Sequence, residues 1–292
     1  MTATPRSSGP WLPRLVVAPS FLLSLLFIYG LMAWNGYLSL SASRILPNYD
    51  FVGLAQYGTL FDSERFRVAM GNLALFGLLF IGGAMAVGVV LAVLLDQKVR
   101  GEGLLRTLYL YPMAISFIVT GTAWKWMLNP GLGLEHLMHQ WGFESFSFGW
   151  LVDPDMAIYC VVIAGIWQSA GFVMALFLAA LRGIDDSIIK AAQVDGASLP
   201  RIYWSIILPS LRPVFFSTLL VVSHLAIKSF DLVMALTAGG PGFATDLPAT
   251  FMYAHAFTRG QIGLGAASAT VMLATVAAIV VPYLYSELRA KR

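Results

Sequence analysis

The chain has 292 residues, of which 58% are hydrophobic and only 11% are charged, and its net charge is +3. Soluble domains carry about 25% charged residues, so this composition excludes a large soluble core and predicts an all-α integral membrane protein. The 18 basic residues are dispersed along the chain, which is typical of charges that flank membrane helices and argues against a nucleic-acid surface.

Six apolar runs, separated by polar segments, follow one another along the chain. About 20 apolar residues cross a bilayer as a helix, and the first run is too long for the core of a signal peptide, which has about 7–15 residues. We therefore predict a polar N-terminal segment at 1–14, a transmembrane domain at 15–286 and a polar tail at 287–292. The predicted spans are 15–43, 68–95, 107–124, 156–181, 213–236 and 261–286.

Three of these runs have unusual composition. The second is rich in Gly and Ala, which lets helices approach closely in lipid, and the third is broken by Pro112. The fifth contains Lys228 and Asp231. Ionisable groups at membrane depth are costly and usually face a partner or a water-filled cavity. Either the two side chains line a solute path and pair at i and i+3 of a helix, or the span ends near Ile227 and both lie at the outer interface.

A polar segment at 185–212, which we call the elbow, separates the fourth and fifth runs. Its composition predicts two short helices joined by a turn. An acidic or hydroxyl side chain at 185–187 can cap the first helix, and Gly196 suits the left-handed position just past its end. Ser198 can cap the second helix, with Pro200 tolerated in its first turn.

The distribution of basic residues predicts the orientation of the chain. Six spans place both termini on one side of the membrane. That side, with the short second loop and the elbow, carries 12 of the Lys and Arg residues, and the opposite side carries 6. Because an excess of Lys and Arg marks the cytoplasmic side, we expect both termini and the elbow to be cytoplasmic.

The elbow resembles the Glu-Ala-Ala…Gly…Leu-Pro cytoplasmic loop of binding-protein-dependent ABC importer permeases. The residues that carry this resemblance are Lys190, Ala191, Ala192, Asp195, Gly196, Ala197, Leu208 and Pro209. In that family the loop is the coupling helix, which fits a groove on the ATPase subunit. Lys190 stands where the family usually has Glu, so a salt bridge made by that Glu is not carried over.

Two further stretches, 106–133 and 229–257, resemble sugar permeases of the maltose-transporter type and are similar to glucose-type importers. The resemblance implies a permease subunit that forms half of the pathway of an ATP-driven sugar importer in the cell inner (plasma) membrane. The implied partners are a second similar permease, two ATPase subunits, a periplasmic solute-binding protein, a sugar and the lipid bilayer. The implied mechanism is alternating access.

Motifs for enzymatic chemistry are absent from the sequence. It has no Gly-x-x-x-x-Gly-Lys-Ser/Thr phosphate loop, no His-Glu-x-x-His and no Gly-x-Ser-x-Gly. We therefore expect a permease that is not an enzyme and binds no cofactor itself, with ATP and Mg²⁺ used by the partner ATPase. His136 and His139 could share a metal, but such a loop pair is more often solvated, and no metal site is predicted.

The alternative function is an ion-gradient-driven secondary transporter. Such a protein uses ionisable residues in its spans and an internal repeat, whereas in this chain such residues are few and no clear repeat is visible. For a sugar pathway, the sequence offers aromatic faces, an amide and charged groups, although an aromatic in a span is more often packing or an interfacial anchor. The candidate pathway residues are Trp167, Gln168, Lys228, Phe230, Asp231 and Tyr253.

Overall fold

The computed structural model describes residues 11–46, 48–97 and 99–290, and the regular structure of this part is helical. The prediction of an all-α fold is therefore confirmed for the described residues, in which an isolated β-bridge joins Ser41 and Phe51. The α-helices are α1 (Trp11–Ser24), α2 (Leu31–Ser39), α3 (Ala55–Asp62), α4 (Glu64–Asp96), α5 (Glu102–Ala114), α6 (Phe117–Met127), α7 (Leu134–Gln140), α8 (Ala157–Leu181), α9 (Asp186–Val194), α10 (Leu199–Ile202), α11 (Leu208–Ser210), α12 (Arg212–Ile227), α13 (Asp231–Leu236), α14 (Pro248–Tyr253) and α15 (Ile262–Ala290). Segments of π-helix occupy Leu25–Gly30, Tyr203–Ile207 and Ala254–Thr258.

Four helical stretches of the described chain are long and apolar enough to cross a membrane. They are Arg14–Ser39, Glu64–Asp96, Ala157–Leu181 and Ile262–Tyr285. Two bent pairs meet the same requirement together: α5 with α6, which are bent by 100°, and Leu199–Ser210 with α12, which are bent by 66°. The described residues thus contain four candidate membrane helices, or up to six if each bent pair is one span.

The ends of the chain are described only in part. Residues 1–10 of the predicted N-terminal segment and residues 291–292 of the predicted tail lie outside the described residues. Helix α1 begins at Trp11, inside the segment predicted as 1–14, and α15 continues to Ala290, beyond the predicted end of the sixth span.

The break in the third predicted span does not lie at Pro112 itself. Pro112 is inside α5, and the chain turns at Ile115 and Ser116. Proline removes a backbone donor and weakens the helical turn around it, while Ser116 Oγ accepts a hydrogen bond from the Val119 N–H (3.3 Å) and caps α6. The break is therefore set by the proline together with the serine cap that follows it.

The fifth predicted span, 213–236, is interrupted. Helix α12 ends at Ile227, and α13 begins at Asp231. Lys228 and Asp231 are consequently not at i and i+3 of one helix, and among the described ion pairs they do not form one with each other. Both side chains are exposed on the chain surface, so neither ionisable group is buried in the apolar core, where its charge would be costly.

Small residues bring α4, α5 and α8 close together. A Cβ at Gly88 of α4 would lie 2.5 Å from the Val173 Cβ of α8, and a Cβ at Gly171 of α8 would overlap the Tyr109 carbonyl of α5. Close approach of this kind is what the Gly- and Ala-rich second run predicts. Helix α8 therefore holds α4 and α5 by direct backbone contact.

The elbow rests on the ends of this helical core. Ile202, Ile207 and Leu211 of the elbow are buried in the same apolar cluster as Leu95 at the end of α4 and Leu181 at the end of α8. Burial of these apolar side chains holds the elbow against both helices. The elbow is thus part of the core and not a free loop.

Candidate functional site

The first half of the elbow begins with an acidic cap. Asp185 Oδ1 accepts a hydrogen bond from the Ser187 N–H (2.9 Å), so Asp185 is the capping residue among the three candidates at 185–187. This hydrogen bond to the backbone holds the pKa of the Asp185 carboxyl below its usual value. The carboxylate therefore stays ionised at neutral pH and complements the positive end of α9.

The end of α9 has the left-handed glycine that the sequence predicts. Gly196 has φ of +79°. Its N–H donates to the Gln193 carbonyl (3.0 Å), and the Ala197 N–H donates to the Ala192 carbonyl (3.0 Å). This pair of hydrogen bonds is the Schellman arrangement, which satisfies the last carbonyls of a helix. The turn between the two elbow helices is thereby fixed by its own backbone.

The second half of the elbow differs from the prediction in its cap. Ser198 occupies the position before α10, and Pro200 lies in the first turn, as expected, but the Ser198 side chain makes no capping hydrogen bond. The Ile202 N–H donates to the Ser198 carbonyl (3.0 Å). Ser198 therefore starts α10 through its backbone and not through its hydroxyl.

The first helix of the elbow has an inner face, which packs on the core, and an outer face, which is exposed. Ala192 is buried in the core cluster, and Ala197 packs against it. Ile188, Ala191 and Val194 are exposed, Val194 to 87%. Of the other residues that resemble the coupling loop, Leu208 is half-buried, and the exposed ones are Lys190, Asp195, Gly196 and Pro209.

A cavity of about 310 Å³ lies between the α5–α6 bend, α8 and α12. Gln168, only 4% exposed, lines it: Nε2 donates to the Ile115 carbonyl (2.7 Å), and Oε1 has no hydrogen-bond partner within the described structure. A buried acceptor without a partner costs about 1–3 kcal/mol, so this oxygen favours a ligand that donates a hydrogen bond. The cavity is lined by Met113, Phe117, Gln168, Ser169, Phe172, Val221 and Leu225.

A second cavity of about 40 Å³ has Lys228, Phe230 and Asp231 in its wall and shares Phe117 and Leu225 with the larger one. The Phe230 ring lies 4.7 Å from the Tyr253 ring, and the Tyr253 ring lies 5.3 Å from that of Phe257, between centroids. The candidate pathway residues that the fold groups around these adjoining cavities are Gln168, Lys228, Phe230, Asp231 and Tyr253.

Trp167 is separated from this group. It lines a cavity of about 490 Å³ with Leu108 and Tyr111, and its ring meets that of Trp124 edge to face at 5.9 Å. Consecutive residues of an α-helix point about 100° apart, so the neighbours Trp167 and Gln168 face different cavities.

His136 and His139 each have a partner of their own. His136 Nε2 lies 2.9 Å from Gln140 Nε2, and His139 Nε2 lies 2.7 Å from the Phe146 carbonyl oxygen. Within the described residues, no group of three or more His, Cys, Asp or Glu side chains is arranged to hold a metal ion.

Several polar contacts of the structure have no counterpart in the sequence analysis. The Tyr203 hydroxyl donates to Asp96 Oδ2 (2.6 Å), and Arg65 Nε donates to Asp246 Oδ2 (2.6 Å). The partners are separated by 107 and 181 positions, respectively. No short-range spacing in one sequence could have indicated them, because helix packing alone brings them together.

Comparisons with known proteins show similarity over almost the whole chain. It is 40% identical over 281 residues to a probable ABC transporter permease of Pyrococcus horikoshii, covering 95% of this chain and 96% of that one. It is 35% identical to the xylose/arabinose import permease XacH of Haloferax volcanii, covering 91% and 85%. It is 30% identical to the sn-glycerol-3-phosphate transport system permease UgpA of Agrobacterium fabrum, covering 92% of each chain.

The fold is also shared with a solved structure. A chain from the crystal structure of a bacterial ABC transporter involved in the import of the acidic polysaccharide alginate superposes with a TM-score of 0.84 at 21% identity, covering 97% of this chain and 96% of that one. Residues 10–290 match the family described as the binding-protein-dependent transport system inner membrane component. The resemblance inferred from the sequence is confirmed: the chain belongs to this family of multi-pass membrane permease subunits.

Proposed function

We propose that this chain forms half of the solute pathway of an ATP-driven sugar importer in the cell inner membrane. Membership of the family supports the role of a permease subunit, and the xylose/arabinose permease among the relatives supports a sugar substrate. The partners of this proposal are a second similar permease, two ATPase subunits and a periplasmic binding protein. Because the sequence lacks a phosphate loop, ATP and Mg²⁺ are assigned to the ATPase subunits.

The proposed topology has six spans, with each bent helix pair counted as one span. The excess of Lys and Arg on the side of the termini supports a cytoplasmic position for both termini and for the elbow. A cytoplasmic ATPase can then reach the elbow, while a periplasmic binding protein meets the opposite side.

The observation that carries this proposal is the two-sided elbow. Its inner face is part of the apolar core, while Ile188 and Val194 are exposed on its outer face. The small residues Ala191 and Gly196 leave room there for another backbone to approach. We assign the outer face to the ATPase groove, and we assign no salt bridge to Lys190, which replaces the usual Glu.

The two adjoining cavities are the proposed sugar pathway of this chain. Ligand sites are mostly apolar, with a few polar groups that fix the ligand, and the larger cavity follows this rule with Gln168 and Ser169. We propose that a rearrangement of the cavity wall opens the buried, unpartnered Gln168 Oε1 to a sugar hydroxyl, and the Phe230 and Tyr253 rings offer faces for a sugar ring. Trp167, which faces a different cavity, is left outside this proposal.

The experiment that tests this function is co-purification of the chain from membranes in mild detergent. We expect an ATPase to accompany it, with activity that rises when a sugar-loaded binding protein is added, and a panel of pentoses, hexoses and sn-glycerol 3-phosphate would then identify the substrate. If the chain purifies without an ATPase, and if solute uptake depends on an ion gradient and not on ATP, the protein is a secondary transporter and the proposed function is wrong.

Replacement of Gln168 by Leu tests the pathway. The two side chains are similar in size, but Leu has no acceptor for a sugar hydroxyl and no donor for the Ile115 carbonyl, so the unfolding midpoint of the variant is measured beside its uptake. Loss of one neutral hydrogen bond costs about 1 kcal/mol, so we expect uptake into vesicles to fall about fivefold. Gln140→Leu is the matched control, because it makes the same exchange at an exposed residue of α7 that lines neither cavity, and it should leave uptake close to wild type. Equal uptake by Gln168→Leu and wild type would remove this cavity from the pathway.

A further inference from the structure

The loop between α4 and α5, described at residues 97 and 99–101, is tied to the elbow region at both of its ends. At the first end, the Tyr203 hydroxyl donates to Asp96 Oδ2 (2.6 Å) and accepts from Gln97 Nε2 (2.7 Å). Tyr203 lies in the π-helical segment of the elbow, and Asp96 is the last residue of α4. The end of α4 is thus bound to the second half of the elbow.

At the second end, Arg182 Nη2 lies 2.7 Å from Glu102 Oε1. Arg182 directly follows α8 and precedes the Asp185 cap by three residues, while Glu102 is the first residue of α5. The two side chains are 40% and 25% exposed, and ion pairs with such exposure contribute little to stability. The pair therefore adds little to the stability of the protein, but by its position it connects the entrance of the elbow to the start of α5.

Helix α5 leads from this ion pair to the larger cavity. It has 13 residues and is therefore about 20 Å long. At its far end, Met113 lines the cavity and the Ile115 carbonyl accepts from Gln168 Nε2. Between its ends, Tyr109 lies against Gly171 of α8 so closely that a Cβ has no room. A displacement of Glu102 is therefore carried along α5, past its close contact with Gly171, towards the cavity wall.

We propose that α5 carries movement of the elbow to the solute cavity, and that Arg182, Glu102, Tyr203 and Asp96 are positioning residues for this transmission. The inference rests on the proposed function. The fourth and fifth spans are joined to the elbow by the chain itself, and the proposal adds the third span as a further route for its movement. Energetic coupling between distant sites travels through packed helices and polar contacts of this kind.

The test uses the assembled transporter, reconstituted in vesicles with its ATPase subunits, partner permease and sugar-loaded binding protein. The measured quantity is the number of sugar molecules transported per ATP hydrolysed. This ratio does not depend on the amount of complex in the vesicles. We expect Glu102→Arg and Arg182→Glu each to lower this ratio about fivefold, and the double exchange Glu102→Arg/Arg182→Glu to restore it. Arg100→Glu, a charge reversal at an exposed residue of the same loop, should leave the ratio within about twofold of wild type.

Tyr203→Phe, which removes one hydroxyl group, supplies a second variant if the charge reversals prevent assembly, and we expect it to lower the same ratio. Unchanged ratios in the single variants of an intact complex, or a double exchange as impaired as both singles together, would overturn the role of α5. A wild-type complex whose ATPase does not respond to a loaded binding protein would instead overturn the proposed function, so the two failures are distinguishable.

Discussion

Replacement of Gly196 by Trp is expected to lower sugar uptake about tenfold or more and to uncouple it from ATP hydrolysis. Gly196 has φ of +79°, and a Cβ at this position would meet no described atom of the chain within 4 Å. A side chain at this position therefore begins in open space on the free chain, and the indole would extend into the space that we assign to the ATPase groove. Uptake and ATP hydrolysis by the reconstituted complex measure both effects.

Gly196→Ala is the matched control for this variant. Both substitutions place a side chain at a positive φ, which costs about 1–2 kcal/mol, but only Trp adds bulk on the outer face of the elbow. Gly142→Trp introduces the same bulk at another open glycine with φ of +90°, on the opposite side in the proposed topology. Normal uptake by correctly inserted Gly196→Trp protein would contradict the docking role of the elbow.

The elbow is the part of the site that the sequence predicts best, because its shape depends on residues close together in the chain. The Asp185 cap and the Gly196 turn each use backbone groups within a few positions. The helix within the fourth predicted span, 156–181, extends over Ala157–Leu181 and is likewise set by local composition. Ser198 departs from its prediction because the backbone alone starts α10.

Contacts between distant segments could not be predicted from the sequence. Asp96 and Tyr203, or Arg65 and Asp246, belong to no common pattern, since their distances depend on how the helices pack. The same reason explains the separation of Trp167 from Gln168: composition suggests both as pathway residues, but only the packing of α5 and α12 against α8 decides which side of α8 faces the cavity.

Replacement of Arg65 by Met is expected to destabilise the protein strongly, because Arg65 is the counter-charge of a buried carboxylate. Arg65 Nε donates to Asp246 Oδ2 (2.6 Å), and the Asp246 side chain is only 1% exposed. The Thr250 hydroxyl donates to the other carboxylate oxygen, Oδ1. Removing the cation leaves this carboxylate buried and unpaired, which costs about 3–5 kcal/mol. We expect a lower thermal unfolding midpoint for the purified protein in detergent, followed by tryptophan fluorescence.

Arg67→Met is the matched control, because Arg67 lies two positions further along α4 and is exposed. Its midpoint should stay near that of wild type. Asp246→Asn should cost less than Arg65→Met, since the amide oxygen can still accept from Arg65 and no unpaired carboxylate is left buried. The difference between Asp246→Asn and Arg65→Met follows from the buried charge and not from the loss of contacts alone. Equal midpoints for Arg65→Met and Arg67→Met would show that the ion pair does not hold the segment around Asp246 to α4.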